Sequence, residues 1–545
     1  MRKTVRLIVA MLLCSANAFA QFEQFKTDAY CVNKAIDAMT AQDFHEAEKC
    51  LYDELAENPD NGIAYFWLAH LKLRIKEYGR ALSLVNKSLK LLSKKEKRYI
   101  AFGYDMSGDI YLNLNDTARA VEFFTKSIDL LPSVSRRDAW VSRWKRAKAY
   151  SGLGQYELSD LDYKVLIEQE SEESKMWGYL GLGENALAQR RWEDAVNHFD
   201  KIVENEQVGW MAYHSRAQCY YEMKQYGKAL DDAIKAMPWN RTMNLIGLIS
   251  DRAFDLTISK LKEQSGGVWD VLIASLYRRA YRHAESITYL KKHIAQYGED
   301  SNTLLNMVNS YLGLGANEKA LVYCDKVLAL ESLNASALIY KAISLCRLGK
   351  VNEAIALADR YINLTADNAG FWWRGYFRYT IRDIDGAIED FTTGLAVNPD
   401  DVILNLWRAH MHTLKGEKAL EQADYKRVIE LSKREEGSSA SFAYLALGQK
   451  REAIENMDKV LSEKPHEAKN YYAAACLYSR MGNYKWALNY LQMAFEKGYR
   501  DFFRSDNDDD MDALRDSPQF KEMVLKYKEM ARHEVEKLDA VDKVD

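Results

Sequence analysis

Apolar residues recur at helical spacing along most of this chain, in runs that stop at a glycine or a short polar stretch. Tyr311, Leu312 and Leu314, followed by Gly315, form one such run. Glycine suits the left-handed backbone conformation that ends a helix, so Gly315 predicts a turn between two antiparallel helices. Small residues ahead of such turns predict that the two helix backbones approach closely. The pattern therefore predicts an all-α chain built from helix pairs.

An alanine marks the second helix of most predicted pairs, and many of the intervals between these alanines are 34 residues. They are Ala47, Ala81, Ala120, Ala195, Ala229, Ala320, Ala354, Ala387, Ala453 and Ala487. A small residue recurs 12 positions before the alanine, and four of the six prolines lie 12 positions after it. One helix pair of this size cannot bury its apolar face alone, so the repeat predicts a solenoid in which neighbouring pairs stack.

The recurring residues resemble the tetratricopeptide repeat. The unit that carries the pattern most fully reads Tyr104, Gly108, Tyr111, Ala120, Phe124 and Pro132. About thirteen units cover roughly residues 28–497, and Ser159 and Glu421 replace the alanine in two of them, where we expect looser packing. The resemblance implies an all-α, right-handed superhelical solenoid of about 12–13 helix–turn–helix repeats with a C-terminal cap. The cap is expected over residues 498–545, because residues 498–502, 512–515 and Phe520 resemble the closing extension of many bacterial arrays.

The repeat interval breaks once, where 55 residues separate Ala229 from Ala284. One helical pattern, from Leu245 to Leu261, fills this stretch without the small–tyrosine–glycine signature. We interpret residues 238–267 as a junction between an N-terminal array (21–237) and a C-terminal array (268–497). The alternative is a single degenerate repeat that stacks normally.

Residues 1–20 have the composition of a secretory signal peptide. Arg2, Lys3 and Arg6 precede an apolar segment, and Ala18-Phe19-Ala20 is a small-x-small cleavage site. We therefore expect export to the periplasm, cell surface or medium, with Gln21 as the mature N-terminus. No later apolar stretch approaches the length of a membrane-spanning helix, so stable membrane insertion is not expected. The net charge of −4 argues against nucleic acid as the main partner.

Candidate chemistry adds little to this picture. Cys31 with Cys50, or Cys324 with Cys346, could form disulfides in an exported protein or remain free. Two glycine pairs, 181/183 and 313/315, fall in repeat register and not after a strand, which favours a packing role over phosphate binding. Residues 506–512 alternate acids but lack the glycine and glutamate of a calcium loop, so we interpret them as a solvated acidic loop in the cap. We expect no catalytic site, metal or cofactor.

The remaining candidate for function is the surface of the first helices, which lines the inner, concave face of such a superhelix. The resemblance implies a scaffold or adaptor that binds a peptide or partner protein there. Aromatic residues and histidines at inward positions are the candidate contacts. They are Phe66, His70, Trp372, Tyr376, Tyr379, His410 and Tyr472. The alternative is a carbohydrate- or cell-wall-binding module, or a hydrolase, that uses the aromatic groove.

Overall fold

A computed structural model describes residues 27, 29–131, 136–169, 171–237, 240–264, 266–433 and 437–541. The predicted signal peptide, Pro238 and Ser265 lie outside these ranges. Within the described ranges the chain is helical and contains no strand, so the all-α prediction is confirmed. No described helix is long and apolar enough to cross a membrane. The chain divides into two compact units, which meet between Ile249 and Ser250.

The first unit consists of antiparallel helix pairs joined by short turns. Their bounds are α1 Tyr30–Thr40, α2 Phe44–Glu57, α3 Gly62–Arg74, α4 Tyr78–Leu91, α5 Lys97–Asn113, α6 Thr117–Leu130, α7 Arg136–Gly152, α8 Tyr156–Ile167, α9 Glu172–Ala188, α10 Trp192–Phe199, α11 Gly209–Glu222 and α12 Tyr226–Lys235. Odd-numbered helices are the first helices of the pairs. Helix α13 (Asn240–Arg252) crosses the boundary between the units.

The second unit continues the alternation and ends in a C-terminal extension, residues 498–541. Its pairs are formed by α14 Phe254–Lys262, α15 Gly267–Arg279, α16 His283–Tyr297, α17 Ser301–Gly313, α18 Asn317–Leu330, α19 Ala335–Arg347, α20 Val351–Thr365, α21 Asn368–Thr380, α22 Ile384–Val397, α23 Val402–Lys415, α24 Lys418–Ser432, α25 Ser439–Ala446, α26 Lys450–Glu463, α27 Ala468–Arg480 and α28 Tyr484–Glu496. The extension contains α29 Phe502–Asn507, a 3₁₀ turn Asp509–Met511, α30 Asp512–Arg515 and α31 Pro518–Val541.

A residue with left-handed backbone conformation ends the first helix in thirteen pairs, five positions before the alanine register. These residues are Gln42, Lys76, Asn115, Gly154, Arg190, Lys224, Tyr281, Gly315, Gly349, Arg382, Gly416, Gly448 and Gly482. The next backbone N–H donates to a carbonyl five residues back, as from Arg191 to Ala186 at 2.9 Å. This closes the helix as in a Schellman motif. The turn predicted at glycine therefore occurs in all thirteen of these pairs, and in seven of them the left-handed residue is not glycine.

Close approach of the two helices of a pair explains the small residues of the pattern. A Cβ added to Gly183 would lie 2.4 Å from the ring of Phe199, and the same holds for Gly108 against Phe124. Gly181 makes room for the ring of Tyr163 from the preceding pair. The glycines of residues 181–183 thus have a packing role. Ser159, where we expected looser packing, is fully buried and donates a 2.8 Å hydrogen bond to the Ala147 carbonyl.

The junction differs from its prediction in two respects. Residues 245–261 form two helices, α13 and α14, because the chain breaks at Ala253, which has extended φ and no left-handed turn. In the next pair, the fully buried register position is Ser286 and not Ala284, which is only partly buried. Tyr281 sets this register, since it is the left-handed residue five positions before Ser286. The six described cysteines are free.

Candidate functional site

The inner face of each unit is the surface of its first helices that points away from the second helices. Positions 15, 11 and 8 residues before the register alanine lie on this face. Trp372, Tyr376 and Tyr379 of α21 hold these positions in the second unit, and Phe66 and His70 of α3 hold two of them in the first unit. The predicted site residues therefore belong to two separate surfaces.

The C-terminal extension covers the inner face of the second unit. Asp501 accepts a hydrogen bond from Arg347 of α19 at 2.6 Å, and Asp509 accepts two from Arg382 at 2.6 and 3.0 Å. At the other end of the extension, Lys291 of α16 donates to the Leu538 carbonyl at 2.8 Å. The cap thus contacts α16, α19 and the turn after α21, and does not only close the last repeat.

Three consecutive carboxylates of the acidic loop, residues 506–512, point into this face. Asp508 accepts from Tyr472 at 3.2 Å, Asp509 from Arg382, and Asp510 from Arg480. Their side chains are only 12–14% exposed. The interpretation as a solvated loop is therefore wrong for these three acids, because three arginines, Arg382, Arg480 and Arg504, neutralise them.

The electrostatics of the loop follow from these contacts. Burial alone would raise the pKa of Asp509, but hydrogen bonds from His410, Arg382 and Tyr379 outweigh it and hold this pKa below its usual range. Burial and the neighbouring Asp508 raise the pKa of Asp510. Burial also raises the pKa of Tyr379. Asp509 therefore stays ionised and fixes the loop on α21 and α23.

Apolar side chains anchor the extension as well. Met511, Leu514, Phe520, Val524 and Tyr527 are all at most 5% exposed and share a cluster with the last helix pair. Burying such a side chain contributes about 1.5–3 kcal/mol each. The extension is consequently a fixed part of the second unit.

The aromatic patch, which we define as Trp372, Tyr376 and Tyr379, lies beneath the extension. Trp372 stacks on Tyr376 at 5.7 Å, and Tyr379 contacts the His410 ring at 5.9 Å. Tyr379 is only 5% exposed. The fifth predicted residue of this unit, Tyr472, stacks at 4.5 Å on Tyr499 of the extension. The structure brings these residues together, but a partner would meet the extension first.

Cys476, Asp508 and Asp510 are the one group of described residues whose spacing could suit a metal ion. Arg504 and Arg480 already pair with the two carboxylates. Burial raises the pKa of the Cys476 thiol well above its usual value, which disfavours the thiolate that metals bind. The cluster is therefore explained as the anchor of the acidic loop.

The inner face of the first unit carries charged residues between aromatic ones. Lys145 donates to Asp105 and Asp109, at 2.6 Å each. Burial, and secondarily Asp105, raises the pKa of Asp109 to about 6 despite this lysine. Lys148 and Glu184 follow in the next two repeats and influence each other's pKa. Lys145 and Asp105 are only 12% and 13% exposed. Asp109, Lys148 and Trp177 are partly exposed, and Glu184 is exposed.

The two residues predicted in this unit have different surroundings. Phe66 is 4% exposed and packs against Tyr99 at 5.3 Å. His70 is partly buried, and desolvation lowers its pKa to about 4, so it is neutral at pH 7. Sequence reasoning missed Asp109, Lys148 and Glu184, although all three lie 11 positions before the register residue, as His70 does. That offset is the signal that could have found them.

Comparison with known proteins agrees with the repeat geometry. Models of the tetratricopeptide repeat match residues 32–95, 180–238 and 103–133. A TPR repeat-containing protein of Methanocaldococcus jannaschii is 22% identical over 415 residues, which are 66% of this chain and 68% of that protein. The chain is a tetratricopeptide repeat protein. Such repeats make it a protein-interaction scaffold of a fold that is typically non-catalytic.

Other similarities are more limited. A chloroplastic protein of Arabidopsis thaliana is 30% identical over 118 residues, 21% of this tetratricopeptide repeat protein and 31% of the other chain. Among solved structures, yeast Tom70 covers 87% of this chain and 96% of its own, with 16% identity and a TM-score of 0.35. A chain of the APC/C hetero-tetramer Cut9–Hcn1 covers 94% and 99%, with 15% identity and a TM-score of 0.32.

Proposed function

We propose that this protein is an exported, non-catalytic scaffold that binds a partner protein on the inner face of its first unit. One observation carries the choice of face. The extension covers part of the inner face of the second unit through Asp501, Asp509 and Asp510. Within the described ranges, Asp109, Lys148 and Trp177 on the inner face of the first unit are partly exposed, and Glu184 is exposed.

The chemistry of this face indicates what kind of partner it fits. Trp177 lies 5.2 Å from Trp144 and offers a partly exposed ring. The Lys148 ammonium lies 5.0 Å from the Trp144 ring, and the negative charge of Glu184 partly offsets the lowering of the Lys148 pKa by burial. Large aromatic residues surrounded by charges are typical of the centres of protein interfaces. A peptide or helix with an apolar anchor and both charge signs would complement it.

Affinity capture with the full-length chain tests the proposal. We expect wild-type protein to recover a specific protein from the exported fraction, and we expect Trp177→Ala to reduce this recovery at least tenfold. The matched control is Trp486→Ala on α28, whose tryptophan is 49% exposed. Equal losses in both variants, or recovery of a processed small molecule alone, would contradict a partner site at Trp177.

Export itself rests on the composition of residues 1–20. The N-terminal peptide of the mature protein should begin at Gln21, and mass spectrometry of fractionated cells measures it directly. A chain that retains residues 1–20 in the cytosolic fraction would remove export from the proposal.

A further inference from the structure

The extension turns part of the second unit's inner face into a pocket. A cavity of about 360 Å³ is lined by residues of α21, α23, α25, α26 and α27 and by two residues of the extension. Its lining includes Trp372, Trp407 and Tyr472 from the repeats and Tyr499 and Arg504 from the extension. This volume lies within the range of small-molecule sites.

Arg504 is the polar group that determines the chemistry of this cavity. Its Nε donates to Asp508 at 3.1 Å, and its side chain is 40% exposed. In the part of the chain that the structure describes, the two terminal nitrogens have no hydrogen-bond partner. The planar guanidinium can therefore present both nitrogens to one carboxylate. It lies 5.5 Å from the Tyr472 ring and 5.9 Å from the Trp407 ring, which hold it in place.

The other charges of the lining are mostly compensated. Glu467 pairs with Lys469 at 3.3 Å, and Glu463 contacts Lys459 at 3.6 Å. Lys464 has no ion pair among the described residues and adds a positive charge at the rim. Because Asp508 already pairs with Arg504, the positive charge of Lys464 is the one that makes the pocket favour an anion over a cation.

The walls of the pocket are aromatic. Tyr472 and Tyr499 stack at 4.5 Å, and Trp372 stands edge-on to Trp407 at 6.4 Å. The buried indole N–H of Trp372 has no acceptor within the described residues. Burying a donor without an acceptor is unfavourable, so a ligand oxygen that accepts this hydrogen bond would be stabilised. Flat apolar groups pack well between rings of this kind.

We propose that this pocket binds a carboxylate carried on an aromatic or large apolar group. Arg504 receives the carboxylate, and Trp372, Trp407 and Tyr472 contain the apolar part. A free organic acid and the C-terminal residue of a peptide present this same chemistry. The inference is independent of the partner site on the first unit.

Titration calorimetry with the full-length protein tests the ligand class. We expect N-acetyl-L-phenylalanine to bind at least tenfold more tightly than its uncharged amide, because only the acid can occupy the arginine fork. A hexapeptide that ends in phenylalanine distinguishes the sources. Equal binding of the peptide assigns the site to chain ends, and binding of the single residue alone assigns it to free acids. Absence of binding by both acids, or equal binding of acid and amide, overturns the proposal.

Variants assign the binding to this pocket. Arg504→Gln should weaken acid binding at least tenfold, and Trp372→Phe should weaken it severalfold by removing the N–H while keeping a ring. Asp508→Asn keeps the arginine but removes its neutralising partner, so acid binding should tighten. Trp486→Phe and Arg532→Gln, at exposed positions, should leave binding unchanged. Weakening in Asp508→Asn as large as in Arg504→Gln would show a folding effect and overturn the assignment to Arg504.

Discussion

Single turn residues set the register of this repeat array. Thirteen of them have φ between 58° and 80°, and seven of these are not glycine. A side chain in this conformation costs about 1–2 kcal/mol, which the stacked helices on both sides must overcome. A glycine such as Gly315 or Gly349 makes the turn predictable from the sequence, whereas Lys224 and Arg190 adopt the same conformation without a residue type that predicts it.

We expect Lys224→Gly to stabilise the protein by about 0.5–1 kcal/mol, because glycine adopts the left-handed conformation without strain. The gain is smaller than the full strain energy, since glycine also gives the unfolded chain more conformational freedom. Lys224 has φ of 61°. The shift in urea midpoint of the first unit measures the effect. The matched control in the same unit, Gly154→Ala, should destabilise by a similar amount, because Gly154 has φ of 75° and nothing lies within 4 Å of its added Cβ. A destabilised Lys224→Gly would contradict this account of the turns.

Gly183→Ala should destabilise by about 1–3 kcal/mol, because its Cβ would lie 2.4 Å from the Phe199 ring. Phe199→Leu in the same chain should recover part of the loss by opening space. Gly227→Ala serves as control, since nothing lies within 4 Å of its added Cβ. Thermal unfolding of the four variants checks the prediction. It would be wrong if the double variant were less stable than both single variants.

Pairs of helices are also joined by a recurrent arginine–aspartate contact that spans 16 residues. Its four members are Arg146–Asp162, Arg216–Asp232, Arg374–Asp390 and Arg408–Asp424. The arginine lies on the first helix and the aspartate, almost fully buried, lies three residues after the register position on the second helix. In four other pairs this last position holds an aromatic ring that stacks on the tyrosine of the first helix, as Tyr323 does on Tyr311 at 5.3 Å.

Arg216→Ala should destabilise the first unit by about 3 kcal/mol at pH 7, because it leaves Asp232 buried without its partner. Burial already raises the pKa of Asp232, and the variant raises it further. A carboxyl group whose pKa is higher in the folded than in the unfolded protein does not destabilise the fold at a pH below both pKa values, where it is protonated. It destabilises the fold progressively as the pH rises through the folded-state pKa and the buried group ionises. The loss in Arg216→Ala should therefore shrink as pH falls towards 4.

Urea midpoints measured from pH 4 to pH 8 check this prediction. The control is Arg279→Ala, whose pair with Asp251 is about half exposed and should contribute less than about 1 kcal/mol. A loss in Arg216→Ala that does not change with pH would contradict the role given to Asp232.

Helix pairs were predictable because alanine, proline and glycine positions repeat at fixed offsets in the sequence. The junction was not, since α13 and α14 lack both the left-handed turn and the small residue that mark the other pairs. Ser286 was missed for a related reason: the alanine pattern selects Ala284, two positions earlier in the sequence, as the register residue. Local pattern therefore predicts elements well where each position keeps its packing partner, and fails where a different residue fills the same space.

At the scale of the whole molecule, the repeat pattern could not predict that the C-terminal extension covers part of the inner face of the second unit. The composition of residues 506–512 indicates solvation, yet Arg382 and Arg480, more than 100 and about 30 residues away from Asp509 and Asp510, bury these acids on the second unit. The repeat register assigns Trp372, Tyr376, Tyr379, His410 and Tyr472 to one face of the first helices. It could not predict the segment that covers them, because charge pairing over such distances leaves no periodic signal.

We propose that a partner protein binds the inner face of the first unit, whereas on the second unit the extension covers the inner face around His410 through Asp509. Site-specific photo-cross-linking in the cells that produce the protein tests it most directly, with a photoreactive residue at Trp177, at His410 or at the exposed outer position Leu161. We predict an adduct with a specific protein from position 177, a cross-link to the chain's own extension from position 410, and no specific adduct from position 161. A partner adduct from position 410 but none from position 177 would contradict the account.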